Sequence, residues 1–263
     1  MRLIADNLQI LKTDIEQAVQ QKDPGPISEL AGSCVQAGAD AIDINSGPLT
    51  RDPENRMQFL VESVQSVTDC QILLDTTNPA AIRAGLKRCK SRPVINGISL
   101  EAAKLKEILP LAAEFDADLI AYLLDAGSQV PASEAECIDI AISLLQAVQS
   151  AGVSQERLII DPVVAPLMWE SGTRHNMTVL SVIRNLPDIL GFQVRTIAGL
   201  SNLTTGNVAV EKKRRLEHAY LSMLAAAGLD MALLNIFHVD TVQMARACTV
   251  MLQPTPFSWA SID

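Results

Sequence analysis

The sequence lacks the marks of several common classes of protein. Its five cysteines are far apart and form no CxxC pair, so a local zinc or iron–sulfur motif is not expected. The three histidines form neither an HxH nor an HExxH pattern, which disfavours a zinc hydrolase. No apolar run approaches the roughly 20 residues of a membrane span, and the first residues do not follow the charged-then-apolar plan of a signal peptide.

Positive charge is also scarce. The chain has 21 Lys and Arg against 30 Asp and Glu, giving a formal net charge of −9. Nucleic acids and anionic membranes both select basic surfaces, so neither is expected as a partner. Five scattered thiols fit a reducing cytoplasm. With 48% hydrophobic residues, the chain has enough apolar material for a sizeable folded core.

Short, continuous apolar runs alternate with longer amphipathic stretches. Such runs predict parallel strands covered on both faces. The predicted strands are Leu3–Ala5, Ala41–Asn45, Ile72–Thr76, Pro93–Ser99, Asp118–Leu124, Leu158–Asp161, Arg195–Leu200 and Met231–Phe237. The predicted helical stretches are Asp14–Gln36 (two helices, interrupted by prolines), Pro53–Val67, Pro79–Lys90, Glu101–Phe115, Ser133–Ala151, Met177–Asn185, Lys212–Ala227 and Thr241–Leu252.

Eight β–α units in a chain of this length predict an α/β fold, the (β/α)8 TIM barrel, as a single domain over residues 1–263. A doubly wound sheet is the rival, weakened because no Gly-rich turn follows the first strand. The final segment carries Phe257 and Trp259, which are expected to pack on the barrel. The cysteines are expected to be packing residues.

Polar residues follow most of the predicted strands, where the active site of such a barrel lies. They are Asp6, Asp43, Asn45, Asp75 to Asn78, Asn96, Asp125, Asp161, Ser201, Asn202 and Asn235. Any single Asp there also fits a helix cap or a turn. A mouth lined by Asp and Asn suits a flat heterocycle with several ring N–H donors and a carbonyl, such as a pterin or guanine-like ring.

Other kinds of site are disfavoured. No lysine stands at a predicted strand end, which argues against a Schiff-base aldolase. No Gly-rich phosphate cradle follows the seventh or eighth strand. Amides lie between the aspartates that could hold Mg²⁺, so no metal site is predicted. His175 and His218 are expected to be solvated, whereas His238 follows the last strand and could face the mouth.

Five segments in register resemble the pterin-binding methyltransferases, which share the barrel of dihydropteroate synthase. They read IDIN-SGP, ILLDTTNP, PVINGISLE, LIIDPVV and IAGLSN and run over nearly the whole chain. The family includes methyltetrahydrofolate:corrinoid protein methyltransferases and the folate module of cobalamin-dependent methionine synthase. The synthase branch is disfavoured, because it carries a G-x-S-R-K type sequence where this chain has Gly199 to Asn202.

The resemblance implies a role for each matching position. Asp75, Asn96 and Asp161 would hold the pterin ring, and Asn202 would hydrogen-bond near N5 of the folate. The remaining binding positions implied are Asp43, Asn45, Gly199 and Ser201. The catalytic residues implied are Asn202, Asp75 and Asp161, without a metal.

The reaction implied is a displacement in one-carbon metabolism. A Co(I) corrinoid on a partner protein would attack the N5-methyl group of methyltetrahydrofolate. A stronger hydrogen bond from Asn202 as charge develops on the leaving amine would stabilise the transition state. A cytoplasmic homodimer is expected. The direction of transfer, the choice between folate and tetrahydromethanopterin, the upstream methyl donor and the identity of the corrinoid partner stay open.

One departure from the family lies at the end of the first strand. The family pattern G-E-R-x-N is replaced so that Asp6 shortens the Glu, Asn7 replaces the Arg and Gln9 replaces the Asn. This change motivates an alternative, a pterin-binding subunit without transfer activity. The basic run at residues 212–215 either pairs with a glutamate tail or is a solvated helix start.

Overall fold

The computed structural model describes residues 1–259, in which eight parallel strands close into one barrel. The strands, paired in chain order with β8 returning to β1, are β1 (Arg2–Gln9), β2 (Ala41–Asn45), β3 (Gln71–Asp75), β4 (Val94–Ile98), β5 (Asp118–Tyr122), β6 (Leu158–Asp161), β7 (Arg195–Gly199) and β8 (Met231–Leu234). The predicted (β/α)8 fold is therefore confirmed, and the doubly wound alternative is wrong.

Helices connect the strands and form the outer layer. Within the described residues they are α1 (Thr13–Gln21), α2 (Gly25–Gln36), α3 (Pro53–Gln65), α4 (Pro79–Leu86), α5 (Ala102–Glu107), α6 (Leu109–Glu114), α7 (Glu134–Ser150), α8 (Gly172–Leu190), α9 (Val210–Ala227) and α10 (Val239–Leu252). Short 3₁₀ turns cover Gln155–Arg157 and Leu200–Thr204. None of these helices is long and apolar enough to cross a membrane.

Several predicted boundaries were wrong for identifiable reasons. The stretch Glu101–Phe115 is two helices, because Pro110 at the start of α6 has no N–H to continue the ladder. The helix predicted at Met177–Asn185 is twice as long, since its polar first turn hid the periodicity. The strand predicted at Leu3–Ala5 continues to Gln9 through a bulge, where its pairing with β2 shifts register.

The barrel interior is filled by one apolar side chain from each strand. This inner ring consists of Ile4, Ala41, Leu73, Val94, Ile120, Ile159, Ile197 and Met231. A second, larger cluster lies between the strands and the helices. The ring closes the floor of the barrel, so a ligand can enter only above it, among the residues that follow in each strand.

Not every packing expectation was met. Cys34, Cys137 and Cys248 are buried as packing residues, and all five thiols are free. In contrast, Phe257 and Trp259 are 57% and 81% exposed. Their rings contact each other edge-on at 5.0 Å rather than covering the barrel, so that prediction was wrong.

Candidate active site

A polar ring lies one step above the apolar floor of the barrel. Because side chains alternate across a strand, the residue two positions after each floor residue points to the same interior. That rule gives Asp6, Asp43, Asp75, Asn96, Tyr122, Asp161, Gly199 and Leu233, one from each strand. All eight line one cavity of about 240 Å³ at the carboxyl ends of the strands.

The cavity also contains all eight binding positions implied by the resemblance to the family. Its wall is completed by Gln9, Asn45, Ile197, Ser201 and Asn202. The eight predicted binding positions therefore come together from five strands and the turn after β7. Their individual roles toward a ligand remain a prediction.

A chain of hydrogen bonds fixes the orientation of the amides on β2 and β4. The Asn96 Nδ2 donates to Asp43 Oδ1 at 3.1 Å, and the Tyr122 hydroxyl donates to Asn96 Oδ1 at 2.5 Å. Asn45 Nδ2 donates to Asp75 Oδ2 at 2.7 Å. With one donor and one acceptor of Asn96 engaged, its second N–H and second lone pair remain available to a ring with both kinds of group.

Burial dominates the electrostatics of this ring. It raises the pKa of Asp161 to about 7 and that of Asp75 to about 6. The pKa of Asp43 lies well above its usual range because the side chain is fully buried and Asp75 is close. Burial, aided by these carboxylates, also raises the pKa of Tyr122, so its hydroxyl stays protonated as the donor to Asn96.

Asp161 is held from outside the cavity by an unusual backbone turn. Its Oδ1 accepts the Val163 N–H at 2.8 Å, and Val163 has a φ of +61°, which a β-branched residue seldom adopts. The Val163 carbonyl accepts from His175 Nε2 at 2.8 Å. His175 is therefore buried rather than solvated, and the expectation for it was wrong.

The turn after β7 brings Asn202 back over the strand. A Cβ placed on Gly199 would lie 3.2 Å from Asn202 Nδ2, so the absence of a side chain lets the amide approach the strand end. Ser201 Oγ donates to Asp6 Oδ2 at 3.5 Å. The β7 turn and the end of β1 therefore meet on one side of the cavity.

The segment of β1 that departs from the family pattern places its side chains in two different environments. Asp6 and Gln9 line the cavity, whereas Asn7 is 2% exposed and faces away from it. Asn7 Nδ2 donates to Asn235 Oδ1 at 2.7 Å, and its Oδ1 accepts the Ile236 N–H at 3.0 Å. Asn7 thus joins β1 to the turn after β8.

Other polar residues near strand ends do not line the cavity. Asp125 accepts backbone N–H groups of Gly127 and Gln129 within its own loop. Asn78 caps α4, and Asn235 is engaged by Asn7. His238 accepts from Asn235 Nδ2 at 3.3 Å and also lies outside this wall.

The remaining histidine and the basic run lie on α9. His218 is half-buried and hydrogen-bonds to Thr241 on α10, so it is not fully solvated as expected. Lys212 and Arg215 are exposed, whereas Arg214 is half-buried and its Nε has no hydrogen-bond partner among the described residues. None of the four basic side chains lines the polar cavity.

Two residues of the ring were missed or undervalued. Tyr122 was not among the predicted site residues, and Asp125 was named at the end of this strand instead. Tyr122 stands two positions after Ile120, which belongs to the apolar floor. Asp6 was named among the strand-end residues but not among the eight binding positions, although it stands two positions after Ile4. The two-residue alternation from the inner ring identifies both residues.

Two further observations bear on the choice of site. Within residues 1–259, no three His, Cys, Asp or Glu side chains are grouped so that they could hold a metal ion. A larger cavity of about 860 Å³ lies between α10 and the amino-terminal ends of β1 and β2. It is outside the barrel and away from the carboxyl ends of the strands, where the active site lies in this fold.

The sequence is similar to a protein family and to individual known proteins. The sequence model of the pterin binding enzyme family matches residues 15–235. A methylcorrinoid:tetrahydrofolate methyltransferase of Eubacterium limosum is 23% identical over 239 residues, 89% of this chain and 85% of the relative. A methionine synthase of Mycobacterium tuberculosis is 26% identical over 220 residues, 79% of this chain but 18% of that protein.

Solved structures share the fold. A dihydropteroate synthetase with a bound product has a TM-score of 0.69 and 18% identity, and the match covers 95% of this chain and 93% of the other. The Xanthomonas albilineans dihydropteroate synthase, in complex with indole-2-carboxylic acid and 6-chloroguanine, has a TM-score of 0.69 and 19% identity, with 97% and 94% covered.

Proposed function

Because the chain belongs to the pterin-binding enzyme family, we propose that it is a methyltransferase acting between a folate and a corrinoid protein. In this proposal the N5-methyl group moves between methyltetrahydrofolate and the corrinoid of a separate partner. The corrinoid supplies the cobalt centre that takes or gives the methyl group. Residues of this chain bind the folate, orient it and stabilise charge at N5.

The observation that carries the proposal is the polar ring with Asn202 at its edge. Asp75, Asn96 and Asp161 present acceptors and one amide donor to a planar ring, as the amino-pyrimidinone half of a pterin requires. A 2-aminopurine, 6-chloroguanine, is bound by one dihydropteroate synthase of this fold. The methyltransferase assignment draws on the relative that aligns along most of both chains.

Asn202 is the proposed group for the chemical step. Its amide lies against Gly199 in the wall of the cavity, across the barrel from Asp75 on β3. A hydrogen bond there strengthens as N5 changes charge, which stabilises the transition state more than the ground state. Replacing Asn202 by Ala should therefore lower the transfer rate about 100-fold while changing folate affinity less.

A titration with methyltetrahydrofolate followed by a Co(I) cobalamin assay tests this proposal. Formation of methylcobalamin, read by visible absorbance, is the expected result, and Asp69→Asn at the opposite end of the barrel is the matched control. Binding without any transfer would favour the alternative, a pterin-binding subunit. Condensation of p-aminobenzoate with a pterin pyrophosphate would instead indicate a synthase.

The setting of the reaction is part of the same proposal. We expect a cytoplasmic homodimer, in keeping with five free thiols among the described residues. Light scattering coupled to size-exclusion chromatography measures the oligomeric state. A monomer at micromolar concentration would contradict the dimer without affecting the proposed chemistry.

A further inference from the structure

The proposed transfer leaves the source of a proton unassigned. When the N5–CH3 bond breaks, its electron pair stays on N5, and the product amine carries a hydrogen there. Asn202 is an amide, so it can stabilise charge but cannot give up a proton at neutral pH. A titratable group near that edge of the cavity is therefore required, or a path to solvent.

One carboxyl group of the ring contacts the turn that carries Asn202. Asp6 belongs to the polar ring by its position two residues after Ile4, and it lines the same cavity as Asn202. Its Oδ2 is 3.5 Å from Ser201 Oγ, in the turn that also carries Asn202. Within the described residues, the other three carboxyl groups of the ring are hydrogen-bonded elsewhere, Asp43 to Asn96, Asp75 to Asn45 and Asp161 to the Val163 N–H.

Resting on the proposed function, we infer that Asp6 is the acid–base residue for N5 of the bound folate. In the direction that removes the methyl group, the partner's corrinoid supplies the electron pair of the new bond to carbon. The electron pair of the broken C–N bond stays on N5, which takes the proton of the Asp6 carboxyl. The Asp6 carboxylate then recovers a proton from solvent. In the reverse direction it accepts the N5 proton.

The surroundings of Asp6 fit this role. Burial raises the pKa of its carboxyl, whereas Lys12 and the Ser201 hydroxyl act in the opposite direction. The other titratable groups that face it are Glu217 on α9, Asp43 on β2 and the Cys34 thiol on α2. A carboxyl that is half-buried and still reached by solvent holds its proton to a higher pH than a free carboxyl does and can exchange it.

Asp6→Asn and Asp6→Glu test the inference. The Asn variant keeps the shape without a proton to give, so its transfer rate should fall at least about 100-fold, with folate affinity within about threefold of wild type. The Glu variant keeps an acid and should retain most of the rate. Asp69→Asn, far from the mouth, serves as the matched control for the loss of one carboxylate.

A second measurement does not depend on transfer. The ¹³C shift of the N5-methyl group in bound [¹³C]methyltetrahydrofolate reports protonation at N5, and it should titrate differently in wild type and in Asp6→Asn. An unchanged titration together with an unchanged rate would overturn the inference. A parallel loss of affinity and rate would also overturn it, by making Asp6 a binding residue. A wild-type protein that binds folate but transfers nothing counts against the proposed function, and the titration then decides on Asp6 alone.

Discussion

At the scale of single residues, the protonation of Asp161 is expected to make pterin affinity depend on pH. Its pKa of about 7 means that near neutrality roughly half of the molecules carry a proton there. A pterin presents its N3–H and 2-amino donors best to the ionised form. We expect pterin affinity to rise with pH up to about 7 and then to level off, with protons released on binding below that point.

Calorimetric titration with a simple pterin, in two buffers of different ionisation enthalpy, measures both effects. Asp161→Asn should weaken binding about 10- to 100-fold and flatten its dependence on pH. Asp125→Asn, which alters only a loop carboxylate, should behave as wild type. Affinity that falls as pH rises would contradict the prediction.

His175 is a second residue whose effect reaches the ligand indirectly. It holds the Val163 carbonyl, and the N–H of the same residue holds Asp161. The Val163 hydrogen bond lowers the pKa of Asp161 against the effect of burial. His175→Ala should loosen this turn, weaken pterin binding and move the pH midpoint of binding upward.

The control for this change is His218→Ala, which removes a hydrogen bond to Thr241 on the outer face. A His175 variant that loses stability but keeps the wild-type pH midpoint would show that the turn only supports the fold. If both variants lose stability, the prediction still stands. The pH midpoint of pterin binding is compared between proteins that are folded and equally saturated with pterin.

At the scale of elements, the end of β1 depends on a side chain that closes the barrel. Asn7 joins β1 to the turn after β8 through Asn235 and the Ile236 N–H. Removing it leaves the buried Ile236 N–H without its hydrogen bond, at a cost of about 1–3 kcal/mol, and loses the bond to Asn235 Oδ1, which keeps the Phe237 N–H, at a cost of about 1 kcal/mol. Asn7→Ala should lower the free energy of unfolding by about 3 kcal/mol, measured by urea denaturation. The exposed amide of Asn55, bonded to Asp52, provides the control variant Asn55→Ala, which should lose less than about 1 kcal/mol.

The position of Asn7 also shows which features of β1 could be predicted from the sequence and which could not. Order and spacing predicted the strands, because short continuous apolar runs that alternate with longer amphipathic stretches are typical of a parallel sheet covered on both faces. The bulge between Ala5 and Leu8 was not visible, since it changes the direction of side chains without changing composition. Asp6 and Asn7 were therefore treated as one altered segment, whereas Asp6 faces the cavity and Asn7 faces the barrel wall.

At the scale of the whole molecule, the sequence predicts those site residues that belong to a repeated pattern, the polar residues at the carboxyl ends of the strands. The eight positions taken from the family pattern all reach one cavity. Tyr122 was missed because the predicted fifth strand ran on to Leu124, which placed Asp125 at its end, and His175 was missed because it acts through Val163. Contacts of this kind depend on the closed barrel and have no local signature in the sequence.

The same ring makes the stability of the unliganded protein depend on pH. Asp161, Asp75, Asp43 and Asp6 all have raised pKa values in the folded state. Between about pH 4 and 7 the folded protein therefore binds more protons at these groups than the unfolded chain, and their contribution to stability falls as pH rises. The stabilising contribution is complete below the unfolded pKa and lost above the folded pKa.

The double variant Asp75→Asn, Asp161→Asn isolates this effect, because each amide oxygen can still accept from Asn45 or from the Val163 N–H. We expect the free energy of unfolding of the variant, relative to that of wild type, to rise steadily from about pH 4 to about pH 7 and then to level off, as measured by urea denaturation. A saturating pterin should narrow the difference at about pH 8, because the ligand binds only the folded wild type tightly. Equal stability of the two proteins across the whole range would show that the buried carboxyls keep their ordinary pKa values.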